Sequence, residues 1–249
     1  MKLQEIEYWE FGVLQIHNPK VSTYGPYFDL IPKSEGIKGD LVEIGVWRGA
    51  SLLTSGLLLQ GLSSTKKVHG YDTFSGFPSK STEDEFSNFE EMYKAGQISK
   101  SHIERVRRNL RHLSAVGKSS LTTEISSSLD FSSTSLELVK KKVNYLNLDV
   151  CIELHDIDVI EMNEHDLPES ISLVLLDVDL YKGYKSCLPL IWDRLTPGGS
   201  IYLDEYFSLK FPGPRLAVDD FCKKMNIEPR FLCNWLDFER WVITKPVRE

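Results

Sequence analysis

The chain has 249 residues, of which 41% are hydrophobic and 26% are charged, and its formal net charge is −7. This length fits one α/β domain with additions, or two small domains, and the apolar content allows a full-sized core. An acidic chain without blocks of basic residues argues against a nucleic-acid partner, because such proteins hold phosphates with Lys and Arg.

The sequence also argues against a secreted or membrane-spanning protein. Residues 1–16 interleave acidic and aromatic side chains, which is not the pattern of a secretory signal. The longest apolar run, 52–62, is interrupted by polar residues and is too short to cross a bilayer. The four cysteines have no paired close spacing, which is typical of reduced thiols. We therefore expect a cytoplasmic protein with no membrane partner.

Residues 1–38 are rich in aromatic side chains, among them Tyr8, Trp9, Phe11 and Tyr24. Several prolines in this stretch interrupt any long helix. We predict an N-terminal arm that packs on the main domain or covers a cleft, and that domain is predicted to occupy 39–249.

A strand followed by a glycine turn opens the domain, in the sequence GDLVEIGVWRGAS from 39 to 51. The strand is predicted at 41–44 with Glu43 in its end, Gly45 and Gly49 form the turn, and a helix runs over 50–59. Glycines let the backbone approach a ligand closely, and a helix N-terminus offers free N–H groups. The spacing is not the G-x-G-x-x-G of dinucleotide binders. A tight turn without a ligand remains the alternative.

Two further strands are each followed by acidic residues. The strand predicted at 68–71 ends in Asp72, which can accept hydrogen bonds from both hydroxyls of a ribose, or can simply shape a turn. The strand predicted at 150–154 is followed by His155, Asp156 and Asp158. Asp156 is the candidate for contact with a nucleobase amino group. His155 is taken as a structural histidine.

Residues 79–134 form a long connection with two predicted helices, at 89–93 and 101–113, and a Ser/Thr-rich stretch. Connections of this length inside a compact domain are usually lids, binding loops or disordered segments. We predict a lid insertion. The second helix carries Arg105, Arg108 and Arg111 near one face, which is either solvated or an anion-binding surface.

The most informative stretch is 172–206, which predicts a strand, a helix and a second strand in a parallel crossover. The first strand, 173–176, is followed by Asp177 and Asp179, and the second, 200–203, by Asp204 and Glu205. Pro197-Gly198-Gly199 is predicted to separate the helix from the second strand. Because neighbouring parallel strands end at one sheet edge, the four acids should converge there and repel each other unless a cation is bound. Carboxylate oxygens suit Mg²⁺.

The remaining regular elements follow the same patterns. They are helices at 136–146 and 217–225 and two terminal strands at 231–235 and 240–244. Their periodicity does not give the direction of the last two strands.

The order of these elements resembles that of class I S-adenosylmethionine-dependent methyltransferases. Four segments, GDLVEIGVWRGAS, YDTFSGFP, LLDVDLYKGYKSCLPLIWDRLTPGGSIYLDEY and PGPRLAVDDF, together resemble the macrocin O-methyltransferase family, whose members methylate sugar hydroxyls on macrolide-type natural products. The resemblance implies an α/β Rossmann-like fold, with a mostly parallel seven-stranded sheet and helices on both faces.

The resemblance also implies roles for individual residues. Asp177, Asp204 and Glu205 match the family's magnesium ligands, and Asp179 matches its general base. The residues matching its S-adenosylmethionine site are Glu43, Gly45, Ser51 and Asp72. The chain departs from the family in having Asp204-Glu205 where Asp-Asp is usual, and in its longer 79–134 segment.

The implied activity is divalent-metal-dependent methylation of a hydroxyl on a sugar, a glycoside or another vicinal diol. The alternatives are a catechol or phenol O-methyltransferase, a non-catalytic S-adenosylmethionine-binding module, and a nicotinamide oxidoreductase. The arm and the insertion are candidate subunit contacts in a homo-oligomer.

Overall fold

The protein is described by a computed structural model that covers residues 22–77, 80–118 and 130–247. Outside these ranges lie the aromatic residues Tyr8, Trp9 and Phe11 of the predicted arm, together with residues 119–129 of the Ser/Thr-rich stretch. The described part of the arm, from residue 22 onwards, packs on the domain through two one-turn helices.

The described residues form a seven-stranded sheet with the strand order β3-β2-β1-β4-β5-β7-β6. All pairs are parallel except those of β7, which runs antiparallel to β5 and β6. The strands are β1 Asp40–Ile44, β2 Val68–Asp72, β3 Ile152–Asp156, β4 Ile171–Leu176, β5 Leu195–Leu203, β6 Arg230–Trp235 and β7 Phe238–Thr244. The predicted mostly parallel seven-stranded sheet is confirmed.

Eight α-helices surround this sheet in the described ranges. They are α1 Gly25–Phe28, α2 Ile31–Ser34, α3 Ala50–Gly61, α4 Ser87–Lys94, α5 Lys100–Ala115, α6 Leu136–Tyr145, α7 Tyr181–Arg194 and α8 Gly213–Met225. Among the described residues, no helix combines the length and the apolar character that crossing a bilayer requires.

Strand alternation divides the core into two layers, one on each face of the sheet. Val42, Ile44 and Leu176 point to one face, where they pack against α7 and α8. Leu41 and Leu173 point to the other face, where α1, α3 and α6 cover them. Because side chains alternate along a strand, the near-continuous apolar runs of β1 and β4 fill both layers, as in other parallel sheets. Helices therefore cover both faces, as predicted.

Several predicted boundaries differ from the structure, and two of the differences concern where a strand begins. The third strand begins at Ile152 rather than at 150, because Val150 lies 71% exposed in a turn and the Cys151 N–H donates to the Leu148 carbonyl. The segment Pro197-Gly198-Gly199 lies inside β5 instead of preceding it. Composition marked only the Pro-Gly-Gly segment as irregular, and hydrogen bonding of the neighbouring backbone decides where each ladder starts.

The insertion forms its own small apolar cluster. Both predicted helices are present, as α4 and α5, and Phe89, Met92, Ile103 and Val106 pack between them. Asn109 of α5 reaches the lining of the large cleft that is described below. The insertion therefore adjoins that cleft, and its action as a lid remains a prediction.

Gly45 stands where two parallel strands separate, and the structure leaves no room for a side chain there. A Cβ atom at this position would lie 1.8 Å from the Asp177 carbonyl oxygen, and the backbone has φ +96°. We expect Gly45→Ala to lower the free energy of unfolding by more than about 3 kcal/mol, because steric overlap with rigid backbone adds to left-handed strain. Urea denaturation would measure the loss.

Gly96 provides the matched control for this substitution. Its φ is +73°, yet a Cβ atom there would meet nothing within 4 Å. We expect Gly96→Ala to cost only about 1 kcal/mol, the conformational part alone. Equal losses for the two variants would contradict the steric explanation.

Candidate active site

A cleft of about 660 Å³ opens at the carboxyl ends of the parallel strands, which is where α/β sheets of this kind bind ligands. Its lining comes from the β1–α3 turn, the ends of β2, β4 and β5, the insertion and the terminal hairpin. The predicted site residues that line it are Gly45, Ser51, Asp72, Asp177, Asp179, Asp204 and Glu205.

Asp72 organises the glycine turn from the end of β2. Its Oδ2 accepts hydrogen bonds from the backbone N–H groups of Val46 (2.8 Å) and Trp47 (2.7 Å), and its Oδ1 accepts one from Phe74 (2.6 Å). A carboxylate offers about four acceptor positions, so a ligand hydroxyl can still be accepted. The same side chain therefore holds the turn in place and faces the cleft.

Glu43 lies behind the turn rather than in the cleft lining. It is fully buried on the α3 side of the sheet, and its Oε1 accepts a 2.7 Å hydrogen bond from the Ser51 hydroxyl. Its Oε2 has no partner among the described residues. Burial is the main cause that raises the pKa of Glu43, and repulsion from Asp177 and Asp72 adds to it. Through Ser51, Glu43 positions the first turn of α3 against the cleft.

The acidic residues at the ends of β4 and β5 converge as predicted. Asp177, Asp204 and Glu205 each offer a carboxylate oxygen, and these three oxygens lie within 4.8 Å of one another. Carboxylates at this spacing are a ligand set for a hard divalent cation such as Mg²⁺. The neighbouring Asp204 and Glu205 side chains therefore fit the metal role, although the family usually has two aspartates there.

Three side chains from elsewhere in the fold hold this acidic cluster. The Tyr24 hydroxyl donates to Asp177 Oδ2 at 2.5 Å, and Arg240 Nη1 lies 3.1 Å from Asp204 Oδ1. The Tyr184 hydroxyl lies 3.0 Å from Glu205 Oε2. The sequence analysis did not assign these residues to the site. Only Arg240 carried a hint of such a role in the sequence, because an arginine is unusual within an apolar strand.

Burial and mutual repulsion raise the pKa values of the clustered acids. The pKa of Asp177 rises to about 7, first by desolvation and then by repulsion from Asp204. The pKa values of Asp179 and Glu205 are also raised, with desolvation again the largest cause. A bound cation would offset this repulsion, which is a second reason why the site fits a metal.

Asp179 lies beside the metal-ligand candidates and has φ +56°, in the left-handed region that aspartate tolerates better than most residues. Such backbone strain is concentrated at functional sites. Repulsion from Asp177 and Asp204 contributes to its raised pKa, while Lys210 lowers it. Asp179 thus faces the cleft beside the candidate metal ligands, and its role as a general base remains a prediction.

Besides Glu43, two more predicted cofactor residues do not line the cleft. Gly49 caps α3 in the left-handed region with φ +84°, so it shapes the turn from behind. Asp156 is exposed at the end of β3, and the structure does not bring it to the cleft. Asp158, two residues further on, lines the cleft instead. Contact of either acid with a nucleobase remains a prediction.

Comparison with known proteins finds similarity to O-methyltransferases. The family model described as macrocin-O-methyltransferase (TylF) matches residues 31–119, which include β1, the glycine turn and β2 but not the acidic cluster. The demethyldecarbamoylnovobiocin O-methyltransferase of Streptomyces niveus is 24% identical over 216 residues, covering 84% of this chain and 68% of that protein.

Two solved structures share the architecture. The O-methyltransferase NovP has a TM-score of 0.62 and 18% identity, covering 89% of this chain and 80% of that chain. The calicheamicin methyltransferase CalS11 has a TM-score of 0.61 and 19% identity, covering 88% and 77%. The predicted Rossmann-like class I methyltransferase fold is therefore confirmed.

Proposed function

We propose that the chain, which is similar to macrocin O-methyltransferases as its motifs predicted, methylates a hydroxyl of a sugar or another vicinal diol with S-adenosylmethionine. We further propose that the reaction depends on a divalent cation held by Asp177, Asp204 and Glu205. The observation that carries the proposal is the convergence of these three ligands with Asp179 in one cleft.

The other end of the cleft suits the methyl donor. Gly45 and the N-terminus of α3 supply a close, hydrogen-bonding backbone, and Asp72 offers a carboxylate to ribose hydroxyls. The indole of Trp47 lies in the same lining, and its Nε1 has no partner among the described residues. A pocket that combines aromatic side chains with a carboxylate fits a cationic sulfonium donor that carries a nucleoside.

Each catalytic group has a definable task in this proposal. When bound, a divalent cation supplies positive charge that lowers the pKa of an alcohol oxygen. Asp179 accepts the hydroxyl proton at its carboxylate while the acceptor oxygen forms a bond to the methyl carbon and the donor's sulfur–carbon bond breaks. The glycine turn would hold the methyl donor and the acidic cluster would hold the acceptor, on opposite sides of the methyl group that is transferred. Such orientation supplies much of the rate.

The names of the relatives favour a sugar as the acceptor. One related structure is that of a TDP-rhamnose 3′-O-methyltransferase of calicheamicin biosynthesis, and another relative is a demethyldecarbamoylnovobiocin O-methyltransferase. A catechol is the second candidate, because it too presents two adjacent oxygens to a cation. The insertion and the terminal hairpin border the acceptor side of the cleft, so they are expected to decide between the two.

The test uses S-adenosylmethionine with a deuterated methyl group and mass spectrometry of the products. Glycosides with a free vicinal diol are compared with the same glycosides after one hydroxyl is removed, and with a catechol. We expect the label to appear only in the glycosides that keep both hydroxyls of the vicinal diol. Calorimetric titration with S-adenosylmethionine on the same sample establishes donor binding.

The outcomes separate the rival functions. Donor binding without any labelled product across the panel would favour a non-catalytic binding module. Label in the catechol but in no glycoside would replace the sugar with a phenolic acceptor. Failure to bind the donor, with binding of NADH instead, would overturn the proposal altogether.

A further inference from the structure

A second group of metal-ligating side chains lies on the sheet itself, outside the lining of the cleft. His69 belongs to β2, and Glu153 and His155 belong to the edge strand β3. One ligand atom from each lies within 4.8 Å of the other two. We propose that these three residues bind a Zn²⁺ ion that fastens the edge strand to the sheet.

The backbone register creates this arrangement. In the parallel pairing of β2 with β3, His69 lies opposite Glu153, and Tyr71 lies opposite His155. Side chains two residues apart on a strand share a face, so Glu153 and His155 both project to the side on which His69 projects. The ligands therefore stand on two rigid, paired strands rather than on loops.

The distances suit a tetrahedral ion. His69 Nδ1 lies 3.4 Å from His155 Nε2 and 3.4 Å from Glu153 Oε2. Tetrahedral Zn²⁺ with bonds of about 2.0–2.1 Å separates its ligand atoms by about 3.3 Å. Two imidazoles and one carboxylate, with the fourth position open, form a ligand set that Zn²⁺ uses and that Mg²⁺ does not favour.

Supporting contacts orient both imidazoles. Asp40 Oδ2 lies 3.3 Å from His69 Nε2, so a proton on Nε2 would leave the Nδ1 lone pair facing the site. A carboxylate behind a ligating histidine is a recurring feature of zinc sites. The His155 ring stacks on Tyr71 with centroids 4.4 Å apart.

Lys67 is the nearby cation that must be accommodated. Its Nζ contacts Glu153 Oε1, which leaves Oε2 directed at His69. Glu153 can therefore keep this ion pair while its second oxygen binds metal. The Glu153 side chain is 42% exposed, so the site is open to solvent and to an entering ion.

The test is a titration of the full-length protein with Co²⁺, followed by displacement with Zn²⁺. Tetrahedral Co²⁺ absorbs visible light strongly, whereas Co²⁺ held by the oxygen ligands of the cleft absorbs weakly, so the two sites are distinguished without activity. We expect strong visible bands in the wild type that Zn²⁺ abolishes. We expect Zn²⁺ at about 100 times its Kd to raise the melting temperature by about 5 °C.

Variants assign the signal to named residues. We expect His155→Gln and Glu153→Gln to lose the bands, and Asp40→Asn to weaken Co²⁺ binding by about tenfold. His165→Gln is the matched control, because His165 is an exposed histidine that also lies beside a glutamate, Glu164. Circular dichroism identifies any variant that misfolds. Glu153→Gln is less prone to misfold than a histidine variant, because the Glu153 side chain is partly exposed to solvent.

Three results would overturn the proposal. They are the absence of strong visible bands in the wild type, bands that survive in folded Glu153→Gln, and bands accompanied by thiolate charge transfer, which would assign the ion to a cysteine. The test does not depend on the methyltransferase proposal, since every readout is of metal binding or stability.

Discussion

Asp179→Asn is expected to lower kcat by about 10²–10⁴-fold, the usual contribution of a positioned general base. Asparagine keeps the size and the hydrogen-bonding shape of the side chain but cannot accept the hydroxyl proton. The affinity for S-adenosylmethionine should stay within about twofold, because Asp179 lies on the acidic side of the cleft and the glycine turn is unchanged. Single-turnover kinetics with a labelled donor, alongside calorimetry, would measure both quantities.

The control for this substitution is Asp193→Asn, an exposed aspartate on α7 away from the cleft. It should leave kcat and donor binding unchanged. If Asp179→Asn kept a near-normal rate, another group would have to accept the proton. If it lost donor binding as well, the effect would be structural, since the residue holds a left-handed backbone conformation.

The convergence of the acids could be predicted because it follows from strand topology. Asp177 and Asp204 come directly after apolar runs, and neighbouring parallel strands end at one edge, so their proximity needs no knowledge of loops. The family resemblance, in turn, grouped Asp72 with the glycine turn in one cofactor site. The structure adds that Asp72 itself holds that turn, by accepting hydrogen bonds from the backbone N–H groups of Val46 and Trp47. Backbone donors of this kind leave no pattern in the sequence.

The contributions of Tyr24 and Arg240 could not be predicted, because each comes from a distant part of the chain. Tyr24 reaches Asp177 across 153 residues of sequence, and Arg240 reaches Asp204 from the antiparallel strand β7. The direction and pairing of that strand are tertiary properties, which periodicity within a single strand does not contain.

Asp156 illustrates a different limit. It stands at the end of an edge strand, as predicted, but the cleft is reached only after the chain bends, so Asp158 lines it instead. The hydrophobic pattern fixes which residues of a strand are buried. It does not fix the path of the loop that follows, and a shift of two residues there changes which acid meets the ligand.

Removal of divalent cations is expected to abolish methyl transfer, with a loss of at least about 10²-fold that Mg²⁺ restores. The physical reason is that four carboxylates share one end of the cleft, and Arg240 pairs with only one of them. Without a cation, desolvation and repulsion favour protonation of Asp177 and Asp179, which removes the negative charge that a general base and metal ligands need. Activity after treatment with EDTA and re-addition of Mg²⁺ or Zn²⁺ would measure the dependence.

The two proposed metal sites are separable in that experiment because their ligands differ in chemistry. Mg²⁺ prefers the oxygen ligands of the cleft and should restore activity without refilling the imidazole site on β2 and β3. Asp204→Asn should raise the Mg²⁺ concentration needed for half-maximal activity, whereas Glu153→Gln should leave it unchanged. Full activity in EDTA would remove the cation from the reaction, and the acidic cluster would then have to be held by protons, Arg240 and the hydroxyls of Tyr24 and Tyr184.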